Sequence, residues 1–301
     1  MQNPLNPPSP IRSSRSEFLS LRGLRTHVRH WGSNDAPVLF MLHGWMDVSA
    51  SFQFVVDSFA RDWHVIAPDW RGFGRSARTP ADCYWFPDYF ADLDLLLDHY
   101  SPETPVNLIG HSMGGNVATI YAGIRPQRIA KLVNLEGFGL ATTVPAQAPG
   151  RYAQWLDELR QPPQMRSYRT REDVIARLCK TNPRLTPARA DFLAGEWASQ
   201  RDDGEWEILG DPAHKIVSAQ LYRSDEVLAC WRNITAPVLW VEAEHTDMWR
   251  WMGPREKVRA EIDHRMQVIP DVTPARVADA GHMLHHDQPE AVARLIEEFI
   301  V

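Results

Sequence analysis

The sequence predicts an α/β protein built around a mainly parallel sheet. Short apolar segments suit strands buried on both faces, helical patterns lie between them, and one long stretch interrupts this alternation. The chain has 301 residues, of which 44% are hydrophobic and 23% are charged. That composition is ordinary for a globular protein, and a chain of this length can bury a large core without disulfides or a metal.

Eight segments are predicted as strands. Residues 17–21 and 25–30 suit an antiparallel pair joined at Gly23, and the VLFML run at 38–42 is typical of a strand buried on both faces. The others are residues 64–67, 106–109, 131–135, 238–241 and 266–269. Helical spacing of apolar residues predicts helices at 88–100, 115–122 and 290–299.

The stretch from about residue 140 to residue 236 breaks the pattern, because no buried strand stands out there. It opens with a Pro/Ala/Thr-rich linker and contains helical segments at 152–159, 171–179 and 187–199, the last with Thr186 as N-cap and Pro187 in the first turn. We therefore expect a helical cap at 141–236, a core formed by 16–140 and 237–301, and a disordered tail at 1–15. Most cap aromatics should pack the cap's own small core, and a few should line a pocket.

Charge and cysteine content exclude several functional classes. The formal net charge is −6, which argues against nucleic-acid or anionic-membrane partners. The three cysteines, Cys83, Cys179 and Cys230, lack metal or redox spacing, so we expect free thiols in a reducing compartment. The N-terminal residues carry no secretion signal, and no apolar run is long enough to cross a bilayer. A soluble, cytoplasmic protein is expected.

The strongest local motif is the run from Gly110 to Gly115, GHSMGG, which follows an apolar strand and precedes a helix. This is the setting of the G-x-S-x-G elbow, in which glycines allow a tight turn and leave a serine hydroxyl exposed at a helix N-terminus. We expect Ser112 to be a nucleophile. The alternative is a glycine-rich turn with an idle serine.

A serine nucleophile needs a base, and His282 is the candidate. It stands in AGHM near the C-terminus, after the last predicted strand and before the final helix, which is the place expected from the chain order Ser, acid, His. His285 and His286 follow closely and could indicate a metal, but no second ligand cluster accompanies them. We expect them to face solvent at a helix start, with no metal site.

Two backbone amides are candidates for stabilising an oxyanion. His43-Gly44-Trp45 follows the strand at 38–42, so the Trp45 N–H can point towards the nucleophile. The Met113 N–H, next to Ser112, would be the second donor. Taken alone, the HGW motif also fits an ordinary turn.

The motifs HGW, DWRGFGRS, GHSMGG and AGHMLHHDQPE, in this order, resemble the α/β-hydrolase superfamily over roughly residues 17–301. VNLEGFG and LYRSDEVLACW resemble a bacterial branch related to serine-hydrolase-like proteins. The resemblance implies an eight-stranded, mainly parallel sheet with helices on both faces and a cap inserted after the sixth strand. Related epoxide hydrolases and haloalkane dehalogenases use an aspartate where this chain has Ser112, which argues against those activities.

The acidic partner of the histidine departs from the family pattern. Family members usually place it after the strand at 238–241, in a Gly-x-x-Asp pattern, but Thr246 holds that position here and Asp247 follows it. Glu136, directly after the strand at 131–135, matches the acid of some dehalogenase relatives. We favour Asp247 and keep Glu136 as the alternative.

The predicted function is therefore hydrolysis of a small-molecule carboxylic ester through an acyl-enzyme, without a cofactor. A lactonase, amidase, thioesterase or carbon–carbon bond hydrolase could use the same residues. Outside enzymes, the alternative is a binding protein that keeps the fold and has lost turnover, and the displaced acid is the one feature that favours it.

Overall fold

The computed structural model describes residues 11–301. These residues form a large eight-stranded sheet and a small three-stranded one. The strands, in chain order, are β1 (Ser14–Leu21), β2 (Leu24–Trp31), β3 (Val38–Leu42), β4 (His64–Pro68), β5 (Val106–His111), β6 (Ile129–Leu135), β7 (Ser167–Tyr168), β8 (Ala198–Gln200), β9 (Trp206–Ile208), β10 (Val238–Ala243) and β11 (Val272–Val277).

The large sheet has the order β1-β2-β4-β3-β5-β6-β10-β11. The β1–β2 and β2–β4 pairs are antiparallel and every other pair is parallel, which confirms the predicted mainly parallel sheet. Alternate residues of β3 enter opposite faces, because Phe40 and Leu42 pack into one apolar cluster while Leu39 and Met41 pack into the other. The fully apolar sequence of this strand is therefore explained by burial on both sides.

Helices cover both faces of the sheet, as predicted. The helices are α1 (Gln53–Ser58), α2 (Pro87–Tyr100), α3 (Met113–Ile124), α4 (Ala148–Arg160), α5 (Arg171–Thr181), α6 (Pro187–Trp197), α7 (Ser224–Arg232), α8 (Trp249–Met252), α9 (Arg255–Gln267), α10 (Leu284–Asp287) and α11 (Pro289–Ile300). Apolar residues of α2, α3, α7 and α9 fill one cluster, and those of α1 and α11 fill the other. None of the helices within residues 11–301 is long and apolar enough to span a membrane.

The last strand differs from the prediction. Residues 266–269 are not a strand, because Met266 belongs to the end of α9 and Ile269 is buried just beyond it. The strand is β11, which lies at the edge of the sheet, is half-exposed and contains Pro274. Proline is tolerated on an edge strand because its missing N–H removes no internal hydrogen bond, so this strand lacks the apolar pattern used to find the others.

The N-terminal boundary also differs. Residues 1–10 of the predicted tail lie outside the described residues. The strand β1 begins at Ser14 instead of residue 17, so residues 14 and 15 belong to the sheet. Arg12 is also held, since its backbone N–H donates to the Asp57 carboxylate over 2.7 Å.

The segment between β6 and β10 contains the predicted helices, but it is not wholly helical. Thr186 caps α6 and Pro187 occupies its first turn, as expected. The short strands β7, β9 and β8 form a separate antiparallel sheet that the sequence pattern does not predict. The helix α7 packs on the core helix α3, where a Cβ at Gly123 would lie only 1.9 Å from the Cys230 carbonyl oxygen. By packing, the core therefore resumes before residue 237.

Candidate active site

Ser112 stands alone between the end of β5 and the start of α3. Its backbone has φ 51° and ψ −113°, a conformation that side-chain-bearing residues rarely adopt. The turn is tight: a Cβ at Gly110 would lie 2.3 Å from the Gly114 carbonyl oxygen, and one at Gly114 would lie 2.1 Å from the Leu42 carbonyl oxygen. The glycines at these positions allow backbone contacts that any side chain would block.

His282 lies in the loop between β11 and α10, where the sequence places it. Its Nε2 is 2.9 Å from the Ser112 Oγ, which is hydrogen-bonding distance. The two residues are 170 positions apart in the sequence. They meet because β5 and β11 run parallel in one sheet, so their carboxyl ends lie on the same side of it. This geometry allows a proton to pass from the serine hydroxyl to the imidazole.

The other ring nitrogen of His282 meets Glu136. The His282 Nδ1 is 3.1 Å from the Glu136 Oε2, and the Glu136 side chain is fully buried. Two further donors hold this carboxylate: the Ala243 N–H reaches Oε1 over 2.7 Å, and the Thr246 hydroxyl reaches Oε2 over 2.6 Å. Glu136 follows β6 directly, and its backbone φ is 59°.

Burial raises the pKa of the Glu136 carboxyl, and the hydrogen bonds from His282, Thr246 and Ala243 oppose that rise. A buried carboxylate keeps its charge only where donors and positive charge replace the lost water. The surroundings of Glu136 supply such donors, so a negative charge next to the His282 imidazole is supported here.

The expected hydrogen bond between Asp247 and His282 is replaced by the one to Glu136. The Asp247 carboxylate is instead 3.1 Å from Arg250, and its side chain is 28% exposed. Thr246, which holds the usual family position of the acid, uses its hydroxyl to anchor Glu136. The carboxylate that contacts His282 therefore follows β6, the strand beside the one that leads to Ser112. The position of Glu136 directly after a buried strand is the sequence signal for it.

The HGW turn lies against the serine. A Cβ at Gly44 would be 3.3 Å from the Ser112 Cβ, so this turn and the elbow are in contact. Within residues 11–301, neither the Trp45 N–H nor the Met113 N–H donates a hydrogen bond to another protein group. One of these amides directly follows Ser112 and the other belongs to the turn in contact with it. Unpaired amides in such places are candidates to bind a developing negative charge.

His285 and His286 do not face solvent, so that expectation is wrong. They are only 0% and 4% exposed, and they pack with three other buried residues, Asp47, Ser51 and His111. We call these five residues the buried polar cluster. The turn of α10 points both rings inward, towards the loop that follows β3, and Ser51 contacts both of them.

The buried polar cluster touches the candidate site through His111, which directly precedes Ser112. The His111 Nε2 donates to the His282 carbonyl oxygen over 2.8 Å. Burial, together with the neighbouring His285 and His282, holds the pKa of His111 well below its usual value. The ring is therefore neutral at pH 7 and positions the backbone that carries His282.

Aromatic side chains divide between the candidate site and the interior of the segment between β6 and β10. Trp45 and Trp251 are 52% and 59% exposed, and the Trp251 ring centroid is 5.5 Å from that of His282. Trp197 and Trp206 instead pack against a separate apolar cluster within that segment, as expected of most aromatics there. Cys83, Cys179 and Cys230 are free thiols in the structure, as predicted.

Comparison with known proteins agrees with this architecture. The sequence model of a family described as having the alpha/beta hydrolase fold matches residues 37–289. A "Serine hydrolase-like protein" of Danio rerio is 26% identical over 96% of this chain and 90% of its own length. Among solved structures, a thioesterase domain from the curacin biosynthetic pathway has a TM-score of 0.83 at 24% identity, covering 95% of this chain and 99% of that one. An E-2-(acetamidomethylene)succinate hydrolase has a TM-score of 0.73 at 21% identity, covering 96% and 99%.

Proposed function

Because the chain belongs to the α/β-hydrolase fold family, we propose that it is a serine hydrolase that cleaves carboxylic esters through an acyl-enzyme. One observation carries the proposal: an unbroken series of hydrogen bonds joins Ser112, His282 and Glu136. A strained serine at an elbow, a histidine within reach of its hydroxyl and a buried carboxylate behind that histidine are the parts that nucleophilic acyl transfer needs.

The proposed first step is attack of the Ser112 Oγ on the ester carbonyl. The His282 Nε2 takes the hydroxyl proton over the 2.9 Å contact. For this, His282 must hold its hydrogen on Nδ1, and the Glu136 carboxylate favours that tautomer by accepting it. Once His282 is protonated, the same carboxylate stabilises the positive charge of the imidazolium.

The Trp45 and Met113 amides then bind the oxyanion of the tetrahedral intermediate. Met113 begins α3, so its N–H is one of the unpaired donors at a helix N-terminus. The intermediate collapses when His282 returns its proton to the leaving alcohol. Water repeats the sequence on the acyl-enzyme, and the acid is released.

The substrate that fits best is an ester with an apolar group beside the carbonyl. Trp251, beside His282, and Trp45, which follows the Gly44 turn in contact with the serine, expose large aromatic surfaces that can cover an acyl or alcohol chain. We therefore expect activity on p-nitrophenyl esters to rise from acetate to butyrate or hexanoate. Lactones, amides, thioesters and carbon–carbon substrates belong in the same screen, because the same residues could cleave each of them.

The rival function, a binding protein without turnover, loses its main support. It was favoured by the absence of an acid at the usual family position, and Glu136 supplies a carboxylate to His282 from another strand. The distinction can be tested directly by covalent labelling with a fluorophosphonate, which reacts with activated serines.

The labelling experiment compares the wild-type protein with Ser112→Ala. Wild type should be labelled stoichiometrically, with the modified peptide containing Ser112, and should hydrolyse p-nitrophenyl butyrate. Ser112→Ala should lose labelling and at least about 10⁵-fold in kcat. A folded wild-type protein that neither reacts with the probe nor cleaves any substrate in the panel would support the binding protein instead.

A further inference from the structure

Two ring nitrogens of the buried polar cluster have no hydrogen-bond partner among the described residues. Its members come from three parts of the chain: Asp47 and Ser51 follow β3, His111 ends β5, and His285 and His286 lie in α10. None of the five is more than 7% exposed. The cluster lies behind the candidate site, and its proposed role does not depend on the reaction proposed above.

The hydrogens of the cluster can be assigned from chemistry. The Ser51 hydroxyl has one hydrogen, which it donates to the Asp47 Oδ2 over 2.7 Å. The Nε2 atoms of His285 and His286 lie 3.0 and 2.5 Å from the same Ser51 Oγ, so both must donate to it. A neutral His285 then has a lone pair on Nδ1.

His111, like His285, has its ring hydrogen on Nε2 and a lone pair on Nδ1. Its Nε2 contacts the His282 carbonyl oxygen, which can only accept, so the hydrogen of a neutral ring is on Nε2. The Nδ1 of His111 and the Nδ1 of His285 are both buried, and neither has a hydrogen-bond partner among the described residues. The centroids of the two rings are 4.2 Å apart, and the ring planes are tilted by 51°.

Two buried lone pairs without donors suit a cation, and each of the two rings has a nitrogen within 4.8 Å of an Asp47 carboxylate oxygen. One ligand atom each from Asp47, His111 and His285 can be chosen so that all three lie within 4.8 Å of one another. We propose that Asp47, His111 and His285 bind a divalent transition metal, with Zn²⁺ as the ion that fits best. Imidazole nitrogens with a single carboxylate match zinc, whereas Ca²⁺ and Mg²⁺ prefer sites made of oxygen atoms.

The dimensions allow this with small side-chain movements. Zinc binds imidazole nitrogen and carboxylate oxygen at about 2.0–2.2 Å, so tetrahedral ligands are roughly 3.4 Å apart. Bringing ligand atoms that lie within 4.8 Å of one another to that spacing needs movements of about 1 Å. Asp47 lies in the loop that follows β3, and His285 lies in the four-residue helix α10. Water can complete the coordination.

The site is coupled to the histidine of the candidate active site. His285 is three residues after His282, and His111 holds the His282 carbonyl oxygen. A bound ion would therefore fix the short segment from His282 to His285 against the end of β5. We expect zinc to stabilise the folded protein, since a ligand that binds only the native state raises the melting temperature.

The test uses the full-length protein after treatment with a chelator and removal of the chelator. Equilibrium dialysis against micromolar Zn²⁺ should leave one ion per chain, and the melting temperature should rise by roughly 4 °C. Co²⁺ in place of zinc should give the visible absorption of a four-coordinate site. X-ray absorption of the zinc-loaded wild type should show two imidazoles and oxygen ligands.

Three variants give the controls. His285→Gln and Asp47→Asn should lose the retained ion and the shift in melting temperature, while His99→Gln, at an exposed position on α2, should behave as wild type. The proposal fails if wild type retains no zinc, or if folded His285→Gln and Asp47→Asn retain it as well as wild type. If neither variant folds, the wild-type absorption spectrum decides, because ligands other than two imidazoles and oxygen would overturn the site.

Discussion

Ser112 and Glu136 share an uncommon backbone conformation. Both follow a strand directly, and their φ angles are 51° and 59°. A side-chain-bearing residue with positive φ costs of order 1–3 kcal/mol, so the surrounding fold must stabilise it. In each case the chain turns sharply at the end of a parallel strand, which points the side chain towards the loop that carries His282.

The acid can be tested by comparing two conservative substitutions. Glu136→Gln should lower kcat roughly 10³- to 10⁴-fold, because an amide no longer favours the Nδ1–H tautomer of His282. Asp247→Asn should change kcat less than roughly threefold, since Asp247 pairs with Arg250 near the surface. Steady-state kinetics on p-nitrophenyl butyrate would measure both.

The control for this pair is the melting temperature, which reports whether each variant is folded. Both variants should keep the melting temperature of wild type within a few degrees, because each substitution preserves the shape of the side chain. If Asp247→Asn were the crippled variant and Glu136→Gln stayed active, the role of Glu136 proposed here would be reversed.

The sequence could indicate two acids but could not choose between them. Asp247 is one position away from the usual family place, and sequence distance made it the natural choice. What decides is the direction of the side chain after the strand: Glu136 points inward and is held by Ala243 and Thr246, while Asp247 turns out to Arg250. Such directions depend on loop geometry that residue spacing does not encode.

At the scale of elements, the turn from β5 to α3 depends on glycines that pack against backbone. Gly114 is in the first turn of α3, where a Cβ would lie 2.1 Å from the Leu42 carbonyl oxygen of β3. The helix must approach the strand this closely for Ser112 to stand at the carboxyl end of β5. A methyl group there cannot be accepted by a side-chain rotation, since the neighbour is main chain.

Gly114→Ala should therefore lower the free energy of unfolding by about 3 kcal/mol or more. The matched control is Gly150→Ala in α4, where an added Cβ would meet no atom within 4 Å. Alanine in an exposed helical position should leave stability unchanged or raise it by up to about 1 kcal/mol. Urea denaturation measures both, and equal stabilities would show that the elbow can relax to admit the methyl group.

Burial determines which strands can be predicted from the sequence. The strands β3, β4, β5, β6 and β10 are almost wholly buried, so their apolar runs stand out in the sequence. The edge strand β11 was missed because half of it faces solvent, and β7, β8 and β9 were missed because strands of two or three residues carry no periodicity. The inward direction of His285 and His286 depends on packing between distant segments.

On the scale of the whole molecule, the segment between β6 and β10 is joined to the sheet by the loop that follows β4. Gly74 donates its N–H to the Leu209 carbonyl oxygen, and Asp211 donates its N–H to that of Gly72, each over 2.8 Å. Tyr84 adds a hydrogen bond from its hydroxyl to the Asp211 carboxylate over 2.9 Å. The DWRGFGRS motif thus serves as a docking surface for this segment.

His214 is the centre of that junction. Its ring stacks between Phe73 and Tyr84, with centroid distances of 3.8 and 3.5 Å. Its Nε2 is 3.1 Å from the Arg71 carbonyl oxygen and its Nδ1 is 3.3 Å from the Tyr89 hydroxyl. The neutral ring satisfies both contacts, donating from Nε2 and accepting at Nδ1, whereas a protonated ring could not accept from Tyr89.

This arrangement makes the stability of the junction depend on pH. Burial lowers the pKa of His214 to about 3 in the folded protein, against an ordinary value of about 6.5 when unfolded. The unfolded chain therefore binds a proton that the folded chain does not, and stability that is complete above pH 6.5 falls as the pH drops towards 3. This one residue should make the free energy of unfolding about 2 kcal/mol lower at pH 5 than at pH 7.5.

His214→Gln isolates that contribution, because glutamine fills part of the space but does not titrate. Other buried histidines with lowered pKa values, such as His30 and His43, remain in both proteins and cancel in the comparison. Denaturation at pH 7.5 and 5.0 should show wild type losing about 2 kcal/mol more than His214→Gln on acidification. The same loss in both proteins would mean that His214 is protonated freely in the folded state, and that the junction opens to solvent without unfolding.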